Sequence, residues 1–363
     1  MLIGIPKEIK TKETRVSVTP QGVRKLAQNG HQMLVQQKAG LASGFKDEDF
    51  TNAGATLCSS ADEVWEKAEL IVKVKEPVES EYRYLRPGLS LFTYLHLASV
   101  PPLTDALCQN KVTGIGYETV ELEDGELPLL TPMSEVAGRI ATQIGTYLLH
   151  ANHGGKGLLL GGVTGTRKGQ VTVIGAGHVG LNAAEVAAGL GADVVMLDIK
   201  DHKLKRIEEK FHGRVKAVRS SPQSIAEWVQ KSDLVVGAVL VSGDKAPQVV
   251  SKEMVGSMEE GSVVVDVAID QGGCIETSKP TTHAEPTYRE RGVIHYCVTN
   301  MPALTPRTST EALTVATFPY VLKLANLGVQ KALHEDKALQ FGLQTQNGKA
   351  VHPIIQKLFP KWI

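Results

Sequence analysis

Three glycines, Gly175, Gly177 and Gly180, lie in the run VTVIGAGHVG, and Asp198 closes the next apolar run, 18 residues beyond the last of them. VTVI reads as a strand and the alanine-rich stretch from Leu181 to Leu190 as a helix. Glycines at this spacing between strand and helix can cradle a dinucleotide. Gly175 permits the sharp turn, Gly177 lets backbone approach a pyrophosphate, and Gly180 lets helix and strand pack closely. The helix N-terminus then presents unbonded N–H groups and positive potential to phosphates. Asp198 stands near the spacing of about 20 at which an acid meets the ribose. It would accept from a 2′-hydroxyl and repel a 2′-phosphate, which selects NAD over NADP, although Lys200 and Lys203 lie close. The bare glycine pattern also occurs in turns that bind nothing; strand, helix and acid together are what make this one a cofactor site.

A second set of residues ends other apolar runs. Arg15 follows the first strand in KEIKTKETRVSVTP, Lys75 closes ELIVKVK, His96 closes LSLFTYLH, and Glu118 lies near the end of VTGIGYETV. In open parallel sheets ligands bind beyond the carboxyl ends of the strands, so Arg15, Lys75 and His96 can meet at one rim. An arginine grips a carboxylate with two parallel hydrogen bonds, a lysine adds a point charge, and a histidine exchanges protons near neutrality. Asp270 ends VVVDVAID and can stabilise a developing iminium or ammonium charge. Taken singly, each has an ordinary alternative: a solvated cation, a packed histidine, a turn-forming or capping acid. Composition and spacing alone reach a two-domain NAD oxidoreductase acting on a small anionic substrate.

The elements that must position these groups alternate. LIGIP, HQMLVQQ, ELIVKVK, LSLFTYLH and VTGIGYETV read as strands; TPQGVRKLAQNG, SADEVWEKA and PPLTDALCQN read as helices. Thr19 is an N-cap with Pro20 at the first helical position and Gly30 as the stop. A longer helix begins near Ser134, read as its cap. After the glycine-rich GGKGLLLGGVTGTRKG, short β-branched runs resume: VTVI, VVML, DLVVGAVL, VVVDVAID and GVIHYCV. Such alternation implies crossover connections and mostly parallel sheets. From Pro306 the pattern turns helical and runs on with no clear new sheet. A tail of about 55 residues is short for a domain of its own, so it should pack back on the first. The expected architecture is α/β with two doubly wound domains. A Rossmann NAD-binding domain (129–306) is inserted into a discontinuous substrate domain (1–128 and 307–363).

The 363 residues carry 39 basic and 39 acidic side chains, so charge recommends neither nucleic acid nor an anionic membrane as partner. The opening MLIGIPKEIK lacks the pattern of a secretory signal, and no apolar run reaches the roughly 18 residues that span a bilayer. Cys58, Cys108, Cys274 and Cys297 are scattered, which fits reduced thiols in the cytoplasm.

The opening MLIGIPKEIKTKETRVSVTP resembles alanine dehydrogenases. So do KVKEP (73–77), FTYLHLA (92–98), TPMSEVAGRIA (131–141), GGVTGTRKGQVTVIGAGHVG (161–180), VVVDVAIDQGG (263–273) and VTNMPALTPRTST (298–310). The matches run in order over nearly the whole chain. The resemblance implies reversible, NAD-dependent oxidative deamination of L-alanine to pyruvate and ammonium by homohexamers. It implies that Arg15 and Lys75 hold the substrate, that His96 is the acid/base, and that Asp270 is the second catalytic residue. It implies cofactor contacts at Ser134, Gly177, Val179, Asp198, Lys203, Ser220, Val239, Leu240, Val267, Asn300 and Met301. Some family members resemble metal-binding proteins in carrying an acid and a histidine in the late helix. Here that region reads PYVLKLANLGVQ, with Asn326 and Leu327 at its centre, so no metal is carried over. The rival readings are the NAD-binding component of a proton-translocating transhydrogenase, a 2-hydroxy acid dehydrogenase, and a non-enzymatic NAD-sensing module.

Overall fold

The computed structural model describes residues 1–239 and 246–363. The chain divides into two compact units, Met1–Met133 with Thr305–Ile363, and Ser134–Leu304.

The first unit is built on β1 (Leu2–Ile5), β2 (Gln32–Gln36), β3 (Thr56–Cys58), β4 (Leu70–Val72), β5 (Ser90–Thr93) and β6 (Thr113–Gly116). They pair in parallel in the order β3-β2-β1-β4-β5-β6. The second unit repeats this order. Its strands are β7 (Gln170–Ile174), β8 (Asp193–Asp198), β9 (Val215–Arg219), β10 (Leu234–Gly237), β11 (Val263–Asp266), β12 (Thr287–Glu290) and β13 (Val293–Tyr296). Six are parallel in the order β9-β8-β7-β10-β11-β13, and β12 pairs antiparallel outside β13. Central strands such as VVVD and LVVG are buried along their length, as a sheet covered on both faces requires.

The helices start where short polar caps supply the first turn. Thr19 Oγ1 accepts from the Gly22 N–H at 3.3 Å to open Pro20–Gln28. Ser221 and Ser224 bond each other's backbone N–H to open Pro222–Lys231. The helix expected to be capped by Ser134 instead runs Thr131–Leu148, which puts Ser134 inside its first turn. Thr131 and Pro132 already supply a good helix opening.

The tail is not wholly helical. After Pro306–Leu327 and two short helices, β14 (Leu343–Gln346) and β15 (Lys349–Ala350) form an antiparallel hairpin, and β14 pairs with β6. Asn347 and Gly348, at φ +52° and +84°, make the two-residue turn. Both signs are those of a type I′ hairpin, which favours Asn-Gly. Ala350 and Ile355 of the tail join the buried cluster of Leu91, Leu95, Leu103, Leu107 and Trp65 in the first unit. No single helix among the described residues is long and apolar enough to cross a membrane.

Candidate active site

In the first unit, Lys75 lies three residues beyond β4 and His96 three beyond β5, and their side chains meet. Lys75 Nζ is 3.3 Å from His96 Nε2. An ammonium has only hydrogens to offer, so this contact needs an unprotonated Nε2. The His96 ring stacks on Tyr94, centroids 5.7 Å apart and planes 9° apart, and the Tyr94 hydroxyl donates to the Leu129 carbonyl at 2.6 Å. Burial first, then the positive charges of Lys75, Lys10 and Arg15, hold the imidazole well below its ordinary pKa. His96 is therefore a neutral base at physiological pH, with three cations arrayed about it.

The backbone at His96 is unusual. Its φ is +49°, a left-handed conformation that costs a non-glycine residue about 1 kcal/mol. Glu118, in the turn Tyr117–Thr119 after β6, holds it there. Its carboxylate accepts from the His96 N–H at 2.7 Å and from the Leu95 N–H at 3.1 Å. Gln344 of β14 donates to the same carboxylate at 2.9 Å.

Arg15 is 1% exposed, and its planar fork is engaged by a near neighbour. Nε donates to Glu13 Oε1 at 2.7 Å, Nη2 donates to Glu13 Oε2, and Nη1 meets Met133 Sδ at 3.0 Å. Burial works against the charge, but the Glu13 carboxylate outweighs it and raises the pKa. Glu8 does similar work for the other cation. Its Oε1 accepts from the Val74 N–H at 2.6 Å and the Lys75 N–H at 3.3 Å, which fixes the backbone from which Lys75 projects. Beneath it, buried Lys73 bridges Glu8 and Glu81 at 3.1 and 3.0 Å. The substrate-side residues expected from strand ends are thus brought to one rim. Glu8 and Glu13, which organise them, have no signal in spacing, because Glu8 meets residues of another strand end and Glu13 acts through a loop.

In the second unit the glycine turn has the expected form. Gly175 has φ +104°, and a Cβ there would lie 2.5 Å from the Ala238 carbonyl. At Gly180 a Cβ would lie 1.9 Å from the Gly175 carbonyl, so only glycine lets helix His178–Gly189 sit this close to β7. Gly177 caps that helix with no side-chain bond, and a Cβ there would project into open space. That space, with Val179 in the first turn beside it, is where backbone can meet a phosphate. Asp198, 7% exposed, ties the turn together: its carboxylate accepts from the Ala176 N–H at 2.8 Å and the Lys200 N–H at 2.9 Å, with Lys203 Nζ at 3.6 Å. Four lone-pair directions on a carboxylate leave it room for ribose as well. Beyond β8 and β9 a cavity of about 470 Å³ is walled by Ile199, Ser220, Pro222, Ile225 and Met254 among others. Ser220 N–H donates to the Asp198 carbonyl at 2.9 Å, setting that wall against the acid.

The acid that ends β11 and the one four residues beyond it have separate roles. Asp266 is fully buried and accepts from the N–H groups of Ala268, Cys274 and Ile275. Asp270 is exposed, in the turn Val267–Gln271, and the Asn300 N–H lies 3.3 Å from its carboxylate. Asn300 has φ +60°, and Met301 beside it is buried. Val239 follows β10; Leu240 lies outside the described residues. In the late helix, Asn326 Oδ1 is 2.8 Å from His31 Nε2.

Residues 4–137 match the model of the alanine dehydrogenase/PNT N-terminal domain, and residues 141–353 match that of the C-terminal domain. The chain belongs to the alanine dehydrogenase family. Alanine dehydrogenase from Staphylococcus saprophyticus is 53% identical over 350 residues, covering 96% of this chain and 94% of that one. The Mycolicibacterium smegmatis alanine dehydrogenase is 52% identical over 357 residues, covering 98% and 96%. A solved L-alanine dehydrogenase superposes with a TM-score of 0.97 at 48% identity over all of both chains. A transhydrogenase from Sinorhizobium meliloti superposes at 0.83 with 24% identity, over 97% of this chain and all of that one, which shows a shared fold. Within the alanine dehydrogenase family, then, this chain carries a cationic rim around a neutral histidine on one unit and a glycine turn with an acid on the other.

Proposed function

We propose that this chain catalyses the reversible oxidative deamination of L-alanine to pyruvate and ammonium with NAD as oxidant. The observation that carries the chemistry is the pair Lys75 and His96, 3.3 Å apart with the imidazole held neutral. NAD fits the second unit: open space over Gly177, an uncapped helix N-terminus, Asp198 for the ribose, and the cavity beside Ser220 for the base. Gly175, Gly177, Val179 and Gly180 would hold its phosphates, Lys203 the charge near Asp198, and Ser134, Val239, Leu240, Val267, Asn300 and Met301 the remainder. When bound, NAD supplies the acceptor for a hydride from the substrate Cα.

Arg15 and Lys75 hold the substrate carboxylate, and the later carbonyl, by charge. The substrate reacts as the neutral amine, its ammonium proton released to solvent, so that loss of hydride leaves an iminium whose positive charge Asp270 stabilises. Neutral His96 takes a proton from the water that adds to the iminium carbon, and returns one as the carbinolamine collapses. The balance is L-alanine, NAD⁺ and water giving pyruvate, ammonium, NADH and a proton. A side pocket for one methyl rejects an extra methylene by only about 1–3 kcal/mol, so 2-aminobutyrate should turn over slowly. The family likeness supports a cytosolic homohexamer whose partners are small molecules, with the unit 1–128 plus 307–363 carrying substrate and 129–306 carrying NAD.

The test is NADH formation by purified protein given NAD with L-alanine, other small amino acids or lactate. Turnover on L-alanine supports the assignment. Turnover on lactate alone, or NAD binding with no turnover on any of them, sinks it. Light scattering on the same sample reads the stoichiometry.

A further inference from the structure

We infer that Glu118 is a positioning residue for His96, and that Gln344, delivered by the tail hairpin, holds Glu118 in place. This rests on the role given to His96 above. Three observations converge on it. His96 sits at φ +49°, a conformation its own side chain does not favour, and the Glu118 carboxylate accepts from its N–H at 2.7 Å and from that of Leu95. The imidazole direction depends on that backbone, because Lys75 and the Tyr94 ring constrain the ring only once it points the right way.

Gln344 supplies the second observation. Its Nε2 donates to Glu118 Oε1 at 2.9 Å and to Thr119 Oγ1 at 3.0 Å, while its own Oε1 is buried without a hydrogen-bond partner. A residue placed only to close the tail onto the sheet would be better apolar here, since a half-satisfied buried amide is unfavourable. The third observation is Gly116 at the end of β6. A Cβ there would lie 2.0 Å from Gln344 Nε2 and 3.1 Å from Glu118 Oε1. The absence of a side chain at Gly116 is what opens the path along which Gln344 reaches the carboxylate. Without the tail, Glu118 would lose its only side-chain donor among the described residues.

The arrangement predicts graded losses. In Glu118→Gln one carboxylate oxygen becomes an NH2: at the Oε2 position it faces the Leu95 N–H, and at the Oε1 position it faces the N–H groups of both His96 and Gln344. Gln344→Leu removes the side-chain donor to Oε1 and leaves both backbone bonds to the carboxylate. Deamination kinetics are measured for Glu118→Gln, Gln344→Leu, Gly116→Ala and His96→Ala, with melting temperature and NAD affinity alongside. Glu118→Gln should lower kcat about 10-fold, the scale of a misplaced catalytic group, with KM for L-alanine and Kd for NAD within about twofold. Gln344→Leu should lower kcat about threefold, and Gly116→Ala, whose Cβ would displace Gln344 and crowd Glu118 Oε1, should lower it at least as far. A purely structural role would lower the melting temperature without splitting kcat from KM; that result overturns the inference. An inactive His96→Ala beside a fully active Glu118→Gln also overturns it while leaving the assigned function standing. A fully active His96→Ala overturns instead the role of His96 on which it rests.

Discussion

In both units the first strand lies third of six parallel strands, and the order reverses between the first strand and the fourth, at β1/β4 and at β7/β10. That reversal is where an open α/β sheet parts to admit a ligand. The two units differ in the segment after the first strand. Beyond β7 the chain turns within residues 175–177 and enters a helix, so the crevice is lined by backbone. Beyond β1 the chain runs on through residues 6–18 before its first helix, and the crevice is filled by side chains: Glu8, Glu13 and Arg15, met by Lys73 and Lys75 after β4. A pyrophosphate is large and doubly charged and can be met by N–H groups and a helix dipole. A three-carbon acid is too small to reach backbone on several sides, so charged side chains must come to it. Those charges are then held by buried acids, Glu13 for Arg15 and Glu8 for the strand end of Lys75.

The comparison is broken most severely at the group for which the glycine turn has no counterpart. His96→Ala should cut kcat by about 10³-fold, within the range for loss of a general acid–base, while NAD affinity measured by fluorescence stays unchanged. Loss of NAD binding in that variant would mean that the two rims are not separate in function. The converse variant is Gly180→Ala, whose Cβ would meet the Gly175 carbonyl at 1.9 Å. It should weaken NAD binding by about 10- to 10²-fold and lower the melting temperature, since relieving such a clash costs on the order of 1–3 kcal/mol. Wild-type NAD affinity would show that the turn has slack that its geometry denies.

The sequence makes one crevice more legible than the other, and for a physical reason. Gly175, Gly177, Gly180 and Asp198 act through local geometry, so their spacing is their signature. Arg15, Lys75 and His96 are found by the rule of strand ends, yet His96 lies three residues past its strand, where periodicity has stopped. Glu8 bonds residues 66 and 67 positions away, and Gln344 reaches Glu118 across 226 positions. Pairings of that kind depend on which strands become neighbours, which no local pattern encodes. The tail hairpin is a different case. Asn347-Gly348 between LQTQ and KA is a turn signal in plain view, but helical periodicity on both sides of it masks so short a strand pair. The two acids Asp266 and Asp270 look alike in sequence, and only burial separates the one that caps backbone from the one that faces solvent.

Asp198 sharpens the comparison at smaller scale. It is the acid that ties down the glycine turn, and it bonds backbone beyond β7 and beyond β8 through Ala176 and Lys200. Asp198→Gly should therefore do two things: lower kcat/KM with NAD about 10-fold, and raise it with NADP, because the repulsion of a 2′-phosphate goes with the carboxylate. Parallel steady-state assays with the two cofactors read the ratio. An unchanged preference would leave Asp198 as a strap for the turn and remove it from cofactor choice.

The smallest effect tests the electrostatics of the side-chain crevice. His96 has its pKa lowered first by burial and then by Lys75, Lys10 and Arg15. A depressed histidine pKa means that the neutral, proton-accepting form persists to lower pH, so deamination should lose activity on the acid side only below the ordinary imidazole range. Lys75→Met removes the nearest of these charges, whose Nζ is 3.3 Å away, and leaves the burial in place. The His96 midpoint should then move up, and stop short of the ordinary value of 6.5 because the larger cause remains. Titration of the His96 ring signal by NMR separates this from the loss of substrate binding that the same variant brings. A midpoint that stays where it was would mean that Lys75 does not tune the proton affinity of His96, and that its charge serves the substrate carboxylate instead.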